Sequence, residues 1–497
     1  MRAVLRRIPA AAWVCALVGV LNAVTWSLIV PLFQVPDEPE HIAYAQYVAE
    51  TGKPPSGRND RQSFSQEERR LVEVARWKAV SRRVDNRLPA TAAAHKLLER
   101  TVDMPADRVA GGGFTTVTNN PPLYYGLAAI AYRVSPSADL PNRIHAMRLL
   151  SALLAGITTV FAFLFLRELL PSTPWAWTIG ALAVAFQPLF GFTSGGVNSD
   201  DLLFAASAGV FYGLARSFRW GLTPRRGLLI GAFAAIGLLS KINMLGLLPG
   251  IALGLALLAL RQPRSESRER LRGAMAAVGL VVLAAAVYMV LNETVWDRGL
   301  FFGASGGSLR GGGIPGPPDV THYPSSSLPD ALNYGWQFYL PRLPFMDPLF
   351  HHYPLYAVWF KGFIGTFGWL EYGFPKIGYT LALWTTLAIV ALAVRELIVN
   401  RAVVRSRVAE LVTYAAIMGG LLVLTNGNGY TARVGGAGGF EQARYLLPLL
   451  PLYGAIIALA ARGAGRRWGP FAGILIVSLA IAQSAVAILL TLTRYYG

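Results

Sequence analysis

The chain of 497 residues is 54% hydrophobic and only 14% charged, with a mean hydropathy of +0.43, whereas a soluble globular domain carries about 25% charge. That balance excludes a soluble enzyme and describes a polytopic membrane protein. The net charge of +18 would suit a nucleic-acid binder only if it were gathered on one polar surface, and the single cysteine, Cys15, excludes a disulfide within the chain.

Apolar runs of about 20 residues mark membrane-spanning helices. Eleven are read here, at roughly 10–32, 144–168, 175–194, 199–217, 226–240, 242–261, 272–292, 376–399, 408–425, 443–462 and 468–493. The first follows Arg2, Arg6 and Arg7, is too long for a signal peptide, and reads as a retained spanning helix. Directly after it comes Pro36-Asp37-Glu38-Pro39-Glu40-His41. Pro39 suits the first turn of a helix, and on that helix His41 lies three to four positions from Glu38 and Asp37, so the three can share a face. An acidic, solvated helix start is the plainer reading of the same residues.

The polar stretch 34–143 reads as a first long external loop with amphipathic pieces at Ser65–Val84 and Thr91–Arg100, broken by Pro54-Pro55, Pro89 and Gly111-Gly112-Gly113. It closes on Thr118-Asn119-Asn120-Pro121-Pro122-Leu123-Tyr124-Tyr125. Gln187-Pro188 and Asn198-Ser199-Asp200-Asp201 fall between the third and fourth spans, where Asn198 or Ser199 also reads as an N-cap with the aspartates favouring the helix dipole. Ser240-Lys241-Ile242-Asn243 places a cation between two apolar runs, needing a lipid phosphate or a partner such as Asp200 or Asp201. A second long external loop, 293–375, opens on a Gly/Pro tract at 303–318 and continues rich in aromatics, which favour the membrane interface. After a glycine-rich loop at Asn426–Gly439, the segment Glu441-Gln442-Ala443-Arg444-Tyr445 opens the tenth span. The adjacent His351-His352 are not a metal signature.

Orientation follows from arginines in short loops. With the N-terminus in the cytoplasm, Arg167, the groups at 216–226, 261–272 and 395–407, and Arg462, Arg466 and Arg467 all fall inside. Much of the +18 is thus positive-inside topology. The C-terminus and the polar helix ends then lie outside: acids Asp37 and Glu38, with Lys241 and Arg444 suited to a phosphate. The sequence contains no P-loop, no G-x-G-x-x-G before a helix and no H-E-x-x-H.

These residues resemble the GT-C superfamily of membrane glycosyltransferases, and within it a bacterial family of predicted membrane proteins. The segments that carry the resemblance are Pro36–His41, Asn119–Tyr125, Val197–Asp200, Ser240-Lys241 and Gln442–Pro451. The resemblance implies an all-α, GT-C-like single transmembrane domain over 1–497. It implies transfer of a sugar from a polyprenyl-phosphate donor to a cell-envelope glycan or glycolipid on the extracytoplasmic side of a bacterial plasma membrane. Asp37, with Glu38 beside it, takes the catalytic position. His41, Asn120, Asp200 and Asp201 orient the base or acceptor. Lys241 and Arg444 hold the donor phosphate, with Tyr124, Gln442 and Tyr445 around them. Asp37, Glu38 and His41 are also the candidates for a divalent cation, whether Mg²⁺, Mn²⁺ or Ca²⁺. The alternative is a polytopic transporter or a flippase for lipid-linked sugars.

Overall fold

In the computed structural model, which describes residues 8–56, 62–87, 91–113, 117–261, 266–300, 325–435 and 441–497, the first apolar run forms α1 (Ala10–Ile29). A turn with Phe33 at φ 69° leads into α2 (Glu38–Thr51), which has Asp37 as its N-cap and Pro39 in its first turn, where the missing N–H costs nothing. The polar stretch supplies α3 (Gln66–Val74), α4 (Trp77–Val80) and α5 (Ala92–Asp103). Ser65 and Thr91 start α3 and α5 by accepting hydrogen bonds from the backbone N–H groups of Glu68 and Ala94. Next, α6 (Leu123–Arg133) packs along α2.

The bundle continues with α7 (Leu140–Leu169), α8 (Pro174–Ala185), α9 (Pro188–Ser194), α10 (Asp200–Trp220), α11 (Pro224–Ser240), α12 (Met244–Ala259) and α13 (Ser267–Thr294). The aromatic stretch forms α14 (Leu328–Tyr339), a π-helical turn at Leu355–Phe360, α15 (Lys361–Gly365), and a short antiparallel hairpin of β1 (Thr366–Phe367) and β2 (Tyr372–Gly373). In this hairpin Thr366 is opposite Gly373. Then come α16 (Lys376–Val399), α17 (Arg401–Ser406), α18 (Val408–Val434), a 3₁₀ segment at Ala443–Leu449 running into α19 (Leu450–Gly463), and α20 (Gly469–Tyr496).

The protein is an all-α membrane protein. Among the described residues seven helices are long and apolar enough to cross a bilayer: α1, α7, α13, α16, α18, the 443–463 segment and α20. The pair α8–α9, bent by 58° at Pro188, makes an eighth if counted as one span. The remaining three of the eleven expected runs are helices too, but α11 and α12 are only 17 and 16 residues long, and α10 carries Asp200, Asp201, Arg216 and Arg219.

One expectation changes. The glycine-rich stretch from Asn426 is not a loop, because α18 continues through it to Val434; the small residues let Tyr334 and Glu441 approach at Gly429. The tract 303–318, the end of that supposed loop at 436–439, Pro89, Arg264 and Arg2, Arg6 and Arg7 lie outside the described residues.

One helix measures the bundle. On α7, Arg148 meets Glu38 near one end and Glu168 sits near the other; 20 residues of helix separate them by about 30 Å, the thickness of a hydrocarbon core. At the Glu168 end the arginines gather. Arg216 and Arg219 each lie 3.0 Å from Glu168, Arg462 pairs with Glu396 at 2.9 Å, and Arg261 donates to the Phe218 carbonyl. The Asp37 end is a different surface altogether.

Candidate active site

Asp37 stands at the mouth of α2 in the left-handed backbone region, φ 63°, which a short polar side chain tolerates. Its carboxylate makes no cap bond to its own helix. It accepts instead from Arg444 Nη2, while Arg444 Nη1 donates to the Pro36 carbonyl at 3.1 Å. The chain thus brings together two residues 407 positions apart. Lys241 Nζ sits 2.7 Å from Asp200 Oδ1 and 5.8 Å from the centre of the Tyr445 ring. The Arg444 guanidinium carbon lies 5.5 Å from the same ring, so both cations neighbour Tyr445.

Around this centre the side chains are closed in. His41, Asn120, Asp200, Asp201 and Tyr124 are all buried, while the Asp37 side chain is 32% exposed. His41 Nδ1 is 2.9 Å from the Tyr125 hydroxyl. Asn120 Nδ2 donates to that same hydroxyl at 3.4 Å, and the Asn120 carbonyl accepts from Tyr44. Tyr44 and Tyr125 stack with centroids 3.6 Å apart. Tyr124 receives the Asn198 N–H at 2.9 Å and meets Ser151 Oγ at 3.0 Å, fixing the turn before α10. Asp201 accepts from Ser194 Oγ at 2.6 Å, tying α9 to α10. Gln442 lines a small cleft with Arg444, Pro36, Thr193 and Gly368.

Burial works to raise the Asp37 carboxyl, but the Arg444 guanidinium, helped by Lys241, outweighs it and holds Asp37 below the usual carboxylate range. Burial, with Lys241 nearby, pushes His41 well below its ordinary value, so the ring is neutral. Burial and then the charge of Asp37 push Glu40 up to about 8.

Glu38 does not join Asp37. Its side chain has no exposed surface and faces the other way. Arg148 grips it through Nε and Nη2, both at 2.7 Å, and the backbone N–H groups of Phe33 and Val197 complete both oxygens at 2.9 and 3.1 Å. Arg148 spends its remaining donors on the carbonyls of Ser27, Val30 and Pro31 at the end of α1. Glu38 therefore pins the start of α2 to α1 and α7 and lies apart from the Asp37–Arg444 pair. The expected cation trio of Asp37, Glu38 and His41 is not assembled, because Arg148 and Arg444 take the two carboxylates. Among the described residues no group of three or more His, Cys, Asp or Glu side chains could hold a metal ion.

Four features escape sequence reasoning. Arg148 was detectable, as a cation just inside the apolar run 144–168, where such a residue needs a partner. Tyr125 holds His41 through its hydroxyl and stacks against its ring. Glu68 is fully buried with neither carboxylate oxygen partnered among the described residues. A buried trio of Tyr334, Arg433 and Glu441, with Arg433 Nη2 3.1 Å from Glu441 Oε2, anchors the aromatic stretch to the end of α18.

Beside the charged centre runs an apolar groove of about 500 Å³ lined by Tyr356, Trp359, Phe360, Phe363, Leu383 and Leu446. Ala443 lines both this groove and the Arg444 cleft. His351 and His352 are exposed and take no part.

A family model described as Predicted membrane protein (DUF2142) matches residues 20–453. Comparison with curated proteins and with solved structures gives no match.

Proposed function

The chain belongs to the DUF2142 family of predicted membrane proteins, and we propose that it is a GT-C-type membrane glycosyltransferase. It would move a sugar from a polyprenyl phosphate to a cell-envelope glycan or glycolipid outside a bacterial plasma membrane. In this reading all eleven apolar helices lie within the bilayer and the Asp37 end faces outward. One observation carries the proposal: a partly open acid and two buried cations converge at one end of the bundle, and an apolar groove meets the Arg444 cleft at Ala443. An anion with a long hydrocarbon tail matches that pairing, because its headgroup needs donors and its chain needs an apolar surface.

Asp37 removes the proton from an acceptor hydroxyl. The acceptor oxygen bonds to the anomeric carbon as the carbon–oxygen bond to phosphate breaks, and its electrons leave with polyprenyl phosphate. A single displacement inverts the configuration. Arg444 and Lys241 balance the charge growing on the phosphate. Neutral His41, held by Tyr125, flanks the acceptor side without adding a positive charge beside the base.

The test is transfer of radiolabelled sugar from a polyprenyl-phosphate donor to envelope acceptor by the purified protein. Asp37→Asn should lower turnover by about 10²–10⁴-fold while elution and helix content stay unchanged. Turnover like wild type would remove Asp37 from the role. Running the assay with a chelator reads out any Mg²⁺, Mn²⁺ or Ca²⁺ held through water and donor phosphate. The bent pair α8–α9 is the one feature that favours a transporter or flippase, since broken helices line such pathways. Movement of lipid-linked sugar across vesicles without transfer would establish that alternative.

A further inference from the structure

We infer that Asp37 and Asp200 are built-in counter-ions of the donor seat, so that the donor's phosphate must take Arg444 from Asp37, freeing the base, before any acceptor can react. This rests on the donor chemistry proposed above.

The geometry of the arginine leads there. Arg444 is 4% exposed, and its Nη1 is spent on the Pro36 carbonyl. The other edge of the guanidinium consists of Nε and Nη2. Nη2 is held by Asp37, and Nε is buried with no partner among the described residues. A guanidinium binds phosphate best through two parallel N–H groups on one edge. A phosphate seated on the Nε–Nη2 edge competes with the Asp37 carboxylate at Nη2, since two anions would then crowd one nitrogen. The second cation repeats the pattern: Lys241 is held by Asp200 Oδ1, while Asp200 Oδ2 has no partner among the described residues.

Of the two members of the Asp37–Arg444 pair, Asp37 is the one placed to move. Its side chain is partly open, it makes no cap bond, and it sits at the junction of a turn and α2. Arg444 is locked beneath it. Exchange of one anion for another keeps the buried guanidinium paired throughout, which avoids the cost of a bare buried charge.

Two consequences follow. Paired with Arg444, Asp37 is a weak base, because the cation stabilises its ionised form. Released, it keeps the desolvation that strengthens it. The group destined to leave therefore switches on the group that starts the reaction, and donor binds first. The empty protein also pays an affinity penalty equal to the strength of its own ion pair.

The experiment measures binding of undecaprenyl phosphate to full-length protein in lipid nanodiscs, for wild type, Asp37→Asn and Arg444→Gln. Asp37→Asn, although inactive in transfer, should bind the lipid phosphate about tenfold more tightly, within the range of typical coupling between sites. Arg444→Gln should bind it far more weakly. Should the asparagine variant not fold, Asp37→Ser carries the same expectation. Equal or weaker binding by the Asp37 variants, with binding still lost in Arg444→Gln, overturns the counter-ion role and leaves the donor assignment standing. Failure of wild type and every variant to bind undecaprenyl phosphate overturns the donor assignment itself.

Discussion

Asp37 and Glu38 are adjacent carboxylates whose substitution should have different effects. Glu38→Gln leaves Arg148, with no exposed surface, as a buried cation without a counter-ion. Breaking such a pair costs about 3–5 kcal/mol, so this variant should show a clearly lowered unfolding temperature and poor recovery from membranes. Asp37→Asn also removes a carboxylate from a buried arginine, Arg444, but at a partly open position where the amide oxygen still accepts from Nη2, so it should lower the unfolding temperature less than Glu38→Gln while removing activity; thermal unfolding beside transfer assays separates the two. Glu40 provides a third residue-scale test. Its carboxyl is raised from 4.5 to about 8 in the folded chain. Between those values the unfolded chain has shed a proton that the folded chain keeps, so stability is full below 4.5 and falls as pH rises toward 8. Glu40→Gln removes that loss. Its unfolding temperature should therefore gain on wild type steadily across this window, and parallel pH profiles would contradict a protonated Glu40. At this scale the sequence already pointed to Asp37, Lys241 and Arg444, because charges at helix mouths in an apolar chain demand a reason. It could not separate Glu38 from Asp37, since one residue of helix rotation decides which carboxylate meets Arg148 and which meets Arg444.

Among the elements, close approach between helix backbones is what holds the short helices in place. On α12, a Cβ at Gly250 would lie 2.2 Å from the Ile417 backbone nitrogen of α18. On α11, one at Gly227 would lie 1.9 Å from the Gly273 carbonyl of α13. Small residues at such crossings allow the van der Waals contact that drives helix association in lipid. Gly250→Leu should part α12 from α18, costing at least the 1–3 kcal/mol typical of overpacking, or roughly that and more for a backbone clash. Gly279→Leu, on an open face of α13 with nothing within 4 Å, should be tolerated. Size-exclusion profiles and unfolding temperatures of the two variants check the contrast. The elements themselves were largely legible. Ser65 and Thr91 announced the starts of α3 and α5, and Pro39 the start of α2. The extension of α18 through Asn426–Val434 was not, because glycines that usually end a helix are used there to admit Tyr334 and Glu441. The 58° bend before Pro188 falls within the apolar run 175–194, where Gln187-Pro188 marked a break but not its angle.

For the whole molecule, the decisive quantity is the separation of two charged surfaces. Glu168 gathers arginines at one end of α7, and about 30 Å away along the same helix Arg148 secures the Asp37 end. Basic loops are retained on the cytoplasmic side of a membrane, so the orientation we propose has the arginine end in the cytoplasm and the Asp37 end outside. The proposed donor depends on that direction, since a lipid carrier is needed only where soluble activated sugars are absent. Because Cys15 is buried, a Cys15→Ser background permits single-cysteine mapping. Lys53→Cys, just beyond α2, and Arg225→Cys, at the start of α11, are exposed positions on the two surfaces. In right-side-out vesicles a membrane-impermeant maleimide should label position 53 and spare position 225 until the vesicles are opened. The reverse pattern would put Asp37 and Arg444 in the cytoplasm, where nucleotide-activated sugars are at hand, and the case for a polyprenyl-phosphate donor would then rest on the apolar groove alone.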